Sequence, residues 1–311
     1  MRILVSVVVA AVFSGGLAAA APSAEGRDGL LAYQRQDYPT AKRLFEAAAA
    51  KGDPSGYNGL GLLSEHDWLS PADFAQAAAW FRKAADLGDP AGESDLGSLY
   101  LMGRGVAQDD RAAVEWFTKA AGQGDSAAEA NLALLYQEGR GVPVDKPKAL
   151  ALYRKAAEQN LPPAQYALAQ MYAAGEGVAS DDAQAASWYR RAAEGGFPPA
   201  QADLGVLYML GRGVAADPAQ AVVWFSRAAQ RGDGGALASL GMVYASGQGA
   251  PHSDAMAYVM FSLAVRAGDQ QASAGKSHFA AVLTPQQIQE ADATVAAWRS
   301  GSPLPITPTA P

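Results

Sequence analysis

The sequence predicts an all-α protein: an α-solenoid of stacked antiparallel helix pairs with a 36-residue period. Three observations carry this. Glycine or asparagine returns at one fixed interval along most of the chain. Columns of small residues, leucine, tyrosine and aromatic-rich pairs keep phase with it. Between these landmarks, apolar residues recur three and four apart, the spacing of a single helix face.

The N-terminus reads as an address. Met1-Arg2 is a basic start, Ile3 to Phe13 is almost wholly apolar, and small residues run up to Ala21. This order reads as a secretory signal over residues 1–20, cleaved after Ala20. The apolar run is shorter than the roughly 20 residues a membrane anchor needs. Residues 25–51 then keep Leu44-Phe45 and Ala48-Ala49 in register, with a shortened inter-helix loop, and form a degenerate first repeat.

The regular stretch covers 52–283. Gly52, Gly88, Gly124, Asn160, Gly196, Gly232 and Gly268 stand 36 residues apart. Four past each anchor the residue is small, from Gly56 and Gly92 to Ala236 and Ala272. Eight past it stands leucine, from Leu60 to Leu240, and twelve past it tyrosine, from Tyr100 to Tyr244. Pairs such as Trp80-Phe81, Trp116-Phe117 and Trp224-Phe225 follow, then Ala84-Ala85 and its copies.

The unit from Gly88 shows the logic. Gly88 suits the left-handed residue that ends a helix. Asp89 caps the next helix, and Pro90 fits its first turn, where no donor is lost. Gly103-Arg104-Gly105 breaks that helix, and Asp109 caps a second one carrying Ala113, Trp116, Phe117, Ala120 and Ala121. One hairpin cannot bury its own apolar face, so neighbours must stack on it. Behind the degenerate unit from 268, Thr284-Pro285 opens a capping helix over 284–300. Residues 301–311 are expected to be a disordered tail.

Composition excludes several function classes. The 311 residues hold no cysteine, three histidines and a formal charge of −7. Disulfide frameworks, thiolate nucleophiles and thiolate metal sites are therefore absent. An acidic chain is a poor partner for nucleic acid or an anionic membrane. Gly103-Arg104-Gly105 and its copies follow helices rather than strands, so they read as helix terminators and not as a dinucleotide loop. Arg104, Arg140 and Arg212 share one loop position, either as solvated charges or as a row facing an acidic partner. Ser273 and Lys276 have the spacing of penicillin-recognising enzymes, but the companion strings are missing. His66, His252 and His278 share no helical spacing. The sequence thus points to no catalytic residue, no metal site and no cofactor.

These motifs resemble the Sel1-like repeat, a relative of the tetratricopeptide repeat. The residues that carry the resemblance are Asp89-Pro90-Ala91 and Asp125-Ser126-Ala127-Ala128, Leu-Gly-x-x-Tyr at 96–100 and 240–244, Gly-x-Gly-Val at 103–106, 139–142, 175–178 and 211–214, and the Trp-led strings at 116–121, 188–193 and 224–229. The front unit, with Gly29, Tyr33, Tyr38, Ala41 and Phe45, looks closer to a tetratricopeptide repeat. The resemblance implies a right-handed superhelix that binds partners rather than catalysing reactions, commonly as an exported bacterial protein. It implies roles such as restraining a membrane sensor or assembling envelope machinery. Some secreted relatives have a disulfide in every repeat and are described as β-lactamases; the lack of cysteine sets this chain apart from them.

In such solenoids the first helix of each pair lines the concave face. With leucine at eight and tyrosine at twelve turned inward, residues six, ten and thirteen past the anchor form the groove stripe. That stripe begins at Asn58, Leu62 and Glu65. Its candidate partner-binding residues are Ser98, Leu101, Leu134, Gln137, Tyr166, Gln170, Val206, Met209 and Met242. Its apolar middle either docks a protein or peptide segment or packs against the neighbouring repeat. The expected function is a non-catalytic protein–protein interaction scaffold in the bacterial envelope. The periplasm is the expected site, with release from the cell as the second choice. A secreted hydrolase acting on cell-wall or β-lactam material, which would need a pocket with perturbed acids or a histidine, and a purely structural spacer are the alternatives.

Overall fold

A computed structural model describes residues 22–305. The signal segment 1–20 and residues 306–311 of the tail lie outside the described residues. Among the described residues all regular structure is helical. In chain order the helices are α1 (Ala24–Gln34), α2 (Tyr38–Ala50), α3 (Pro54–Ser64), α4 (Phe74–Asp86), α5 (Pro90–Met102), α6 (Asp110–Gly122), α7 (Ser126–Glu138), α8 (Lys146–Glu158), α9 (Pro162–Ala174), α10 (Asp182–Glu194), α11 (Pro198–Leu210), α12 (Pro218–Gln230), α13 (Gly234–Ser246), α14 (Asp254–Arg266), α15 (Ser273–Val282) and α16 (Pro285–Ala297). A 3-10 turn, Gln270–Ala272, precedes α15. The chain divides into two compact units, the first ending at Ala164 and the second starting at Gln165.

Helix ends follow the local chemistry. All seven anchors are left-handed, with φ from 62° at Asn160 to 98° at Gly268. Each therefore reverses the chain after a second helix without a steric penalty on glycine. Asp89 accepts from the Gly92 amide at 2.8 Å, and Asp109 accepts from the Arg111 and Ala112 amides. These bonds satisfy amides that a helix start leaves without partners. Thr284 and Gln287 form a reciprocal capping box at the start of α16.

In the first unit, α3 packs along α4, α5 along α6 and α7 along α8, and α2, α4 and α6 also pack on α3, α5 and α7 in turn. Phe45, Phe81 and Phe117 are fully buried where these faces meet. The small column lets the backbones approach: a Cβ on Gly56 would lie 2.4 Å from the Ala49 nitrogen. The leucine column is buried throughout. Tyr100, Tyr136 and Tyr208 in the column at twelve are half-buried, with hydroxyls that accept from Arg82, Lys148 and Arg190, whereas Tyr172 and Tyr244 are buried. Lys148 donates to the Tyr136 hydroxyl at 2.7 Å.

In the second unit one cluster runs from Ala221 to Leu304. Trp298, just beyond α16, is buried in it, and the Arg266 guanidinium donates to the Trp298 carbonyl at 2.8 Å. Leu304, which the sequence places in a disordered tail, is only 6% exposed and belongs to this core. Its burial supplies the apolar gain that the proline-rich neighbours lack.

Candidate functional site

The candidate site is the outward face of the first helices, α3, α5 and α7 in the first unit and α9, α11 and α13 in the second. Each helix is fixed by its leucine at eight, which is buried and sets the rotation of the face.

In the first unit the face is largely closed. Leu134 is only 4% exposed, so it is a packing residue and not a docking residue. This corrects its place in the stripe. Leu62 is likewise buried, in the cluster with Phe81, Leu96 and Leu99. Asn58, Ser94 and Ala130, all six past their anchors, are buried too. Leu101 packs half-buried on the cluster around Phe117 and Leu135. Gln137 accepts from the Tyr153 hydroxyl at 3.4 Å, and Ser98 donates to the Ser94 carbonyl at 3.1 Å.

The same face carries two perturbed carboxyls. Asn58 donates to Asp95 Oδ2 at 2.9 Å, linking one repeat to the next. Burial pushes the Asp95 carboxyl up to about 8; the Asn58 bond opposes the shift and the Glu65 charge adds to it. Burial also raises Glu65 to about 6, against the pull of Arg104.

In the second unit the face is open. Val206 is 40% exposed on α11 and Met242 is 58% exposed at the equivalent position of α13. Leu210, four residues after Val206, is 63% exposed. Asp203, three before Val206, lies on the same line of α11. Tyr166 donates to Asp203 Oδ2 at 3.0 Å and packs edge-on against Tyr189 and Phe197. Burial raises the Asp203 carboxyl, opposed by that hydrogen bond. Met209 is half-buried against the last core cluster, and Gln170 is half-exposed.

Leu210 and Asp203 were not in the predicted stripe. Their spacing from Val206 was the available signal: 203, 206 and 210 are three and four apart. Residues thirteen past the anchor are half-buried in the six units from Gly52 to Gly232, whereas Leu210, fourteen past, is open. The exposed line of α11 is thus turned slightly from the predicted stripe.

The arginine row is engaged within the protein. Arg140 donates to both Asp110 oxygens, at 3.0 and 2.7 Å, and Arg212 to both Asp182 oxygens. Arg104 instead lies over the Phe74 ring, 5.3 Å from its centroid. His252 contacts Asp254 at an exposed site. Among the described residues no three potential ligands gather to hold a metal ion, and no helix is long and apolar enough to cross a membrane.

Comparison with known proteins places this geometry. No curated protein matches the sequence. A Sel1 repeat protein from Oxalobacter formigenes is 32% identical with a TM-score of 0.71, over 78% of this chain and 99% of that one. The protective antigen c5321 of uropathogenic Escherichia coli, described as displaying an SLR fold, is 28% identical with a TM-score of 0.55, over 87% of this chain and 67% of that one. The immunity protein Pa5087 from Pseudomonas aeruginosa is 19% identical with a TM-score of 0.45, over 70% of this chain and 83% of that one. The Sel1 repeat model matches residues 26–53, 54–89, 90–125, 126–161, 162–197, 198–233 and 235–269, so the front unit that looked closer to a tetratricopeptide repeat is matched as well. With seven such repeats in register, the chain belongs to the Sel1 repeat family.

Proposed function

We propose that this protein is an exported, non-catalytic scaffold that takes a segment of a partner protein on the open face of α11 and α13. The observation that carries the reading is the exposure of Val206, Leu210 and Met242 on one face, beside the half-buried Asp203 carboxylate. Large apolar side chains grouped on a surface favour docking, because covering them removes apolar area from water. A buried-side carboxylate among them favours a partner that brings a hydrogen-bond donor or a cation.

The test is a crosslinking pull-down from the native envelope, comparing wild type with Leu210→Glu and Met242→Glu. Circular dichroism verifies that both variants keep their helix content. The reading expects both to lose the captured proteins. Equal capture by folded variants removes it. Export rests on residues 1–20. It is checked by the mass of the protein recovered from the periplasmic fraction, which should lack those residues.

A second reading, a hydrolase acting on cell-wall or β-lactam material, draws on the raised carboxyls of Glu65 and Asp95. It requires turnover of a chromogenic penicillin-type probe that Glu65→Gln abolishes.

A further inference from the structure

A cleft of about 500 Å³ opens in the first unit between α2, α3, α4 and the connection over 64–73. That volume lies within the range of small-molecule sites. It arises where this repeat departs from its neighbours. Five past the anchor, Glu93 and Glu129 accept from Gln123 and Gln159 at 2.8 and 2.9 Å, tying the end of each second helix to its first helix. Here the two positions hold Tyr57 and Leu87, and that tie is missing. Tyr57 instead stacks on Trp80, with centroids 6.0 Å apart and planes 20° from parallel. In the connection, Leu69 stands where the next two repeats have Gly105 and Gly141.

The lining has two chemistries. Leu60, Leu63, Leu69 and the Tyr57–Trp80 pair supply an apolar, partly flat wall. Lys42 and Lys83 supply cations. Lys83 is held with Nζ 4.4 Å from the Trp80 ring centroid. Lys42 meets Glu46 at 3.9 Å with both side chains more than half exposed, so that ion pair is weak. Two ammonium groups against one carboxylate leave the cleft with an excess positive charge.

We propose that this cleft binds a small amphipathic carboxylate, with a flat or branched apolar body against Tyr57, Trp80 and the leucines and its carboxylate toward Lys83 and Lys42. The apolar wall provides most of the binding free energy, and the lysines select the anion. This site stands apart from the partner-binding reading and does not depend on it.

The test is titration calorimetry of the full chain with 1-naphthaleneacetate, and with 1-naphthaleneacetamide as its uncharged isostere. Lys119 lies over Trp116 at 3.8 Å, the same pairing one repeat on, where the Glu93–Gln123 tie is present. Lys119→Gln is therefore the matched control. The proposal expects saturable one-to-one binding of the acid, about fivefold weaker binding of the amide, and a similar loss in Lys83→Gln or Lys42→Gln, with Lys119→Gln unchanged. No saturation up to about 10 mM acid overturns it. So does equal affinity for acid and amide, which needs no variant, or equal loss in Lys83→Gln and Lys119→Gln.

Discussion

Trp68 lies flat on Tyr38, with ring centroids 4.2 Å apart and planes 5° from parallel. The same two positions, thirty residues apart, hold Phe74 under Arg104 one repeat later, then Asp110 clasped by Arg140. In the second unit they hold Asp182 clasped by Arg212. In these four repeats one geometric slot thus joins a loop to the second helix of the previous repeat. It is filled by stacking, by a cation on a ring, or by a two-pronged ion pair. A different chemistry at successive joints disfavours pairing a loop with the wrong helix.

The clasp is measurable. Asp110→Ala and Arg140→Ala should each lower stability, with a coupling of about 1 kcal/mol in a double-mutant cycle from urea unfolding. The value is modest because both side chains are more than a quarter exposed. Asp110→Lys with Arg140→Glu should recover most of the loss. Strictly additive single effects would count against the joint.

Gly141 seats the loop. Its φ is +70°, and a Cβ there would lie 2.4 Å from the Asp110 carbonyl oxygen. Gly141→Ala should cost about 2 kcal/mol or more, through backbone strain and displacement of the clasp. Gly122, at the end of α6, has nothing within 4 Å of its missing Cβ. Gly122→Ala should instead gain about 0.5 kcal/mol. Urea midpoints of the two variants on either side of wild type would verify both effects.

Asp95 ties stability to pH. Its folded-state carboxyl is raised to about 8, so the folded protein holds a proton that the unfolded chain releases near pH 4. The contribution is full below the unfolded value and is lost as pH rises toward 8. Glu65 acts the same way up to about 6. Urea midpoints should therefore carry a falling component from pH 4.5 to 8. Asp95→Asn should flatten that component and raise stability at pH 8 by about 1–2 kcal/mol. Asparagine already stands at the equivalent place in the next repeat, Asn131. An unchanged slope in Asp95→Asn would refute the assignment.

Leu134 and Met242 separate packing from presentation. Leu134→Glu puts a charge at a buried site and should cost about 3 kcal/mol or unfold the first unit. Met242→Glu replaces an open side chain and should change stability by no more than about 0.5 kcal/mol. Thermal unfolding followed by circular dichroism checks the contrast.

The repeat frame was legible because its signals are local. A glycine that must be left-handed, an aspartate that caps, and a leucine every 36 residues announce themselves in the order of the residues. Asn160 is the instructive member: it holds φ of 62° in the glycine column, a conformation its side chain tolerates. The site was harder to read. Leu134 and Val206 occupy the same position in their repeats, yet one is buried and the other open. Nothing within either helix distinguishes them.

Periodicity alone therefore established the helix pairs and the leucine, small-residue and aromatic columns of their interior, since each follows from backbone preference and a face repeating at helical spacing. Which outward positions stay uncovered, which arginine finds a carboxylate, and where a cleft opens beside Tyr57 were decided by packing between repeats. Exposure at those places is set by the side chains of a neighbour some thirty residues away, and no single segment carries that information.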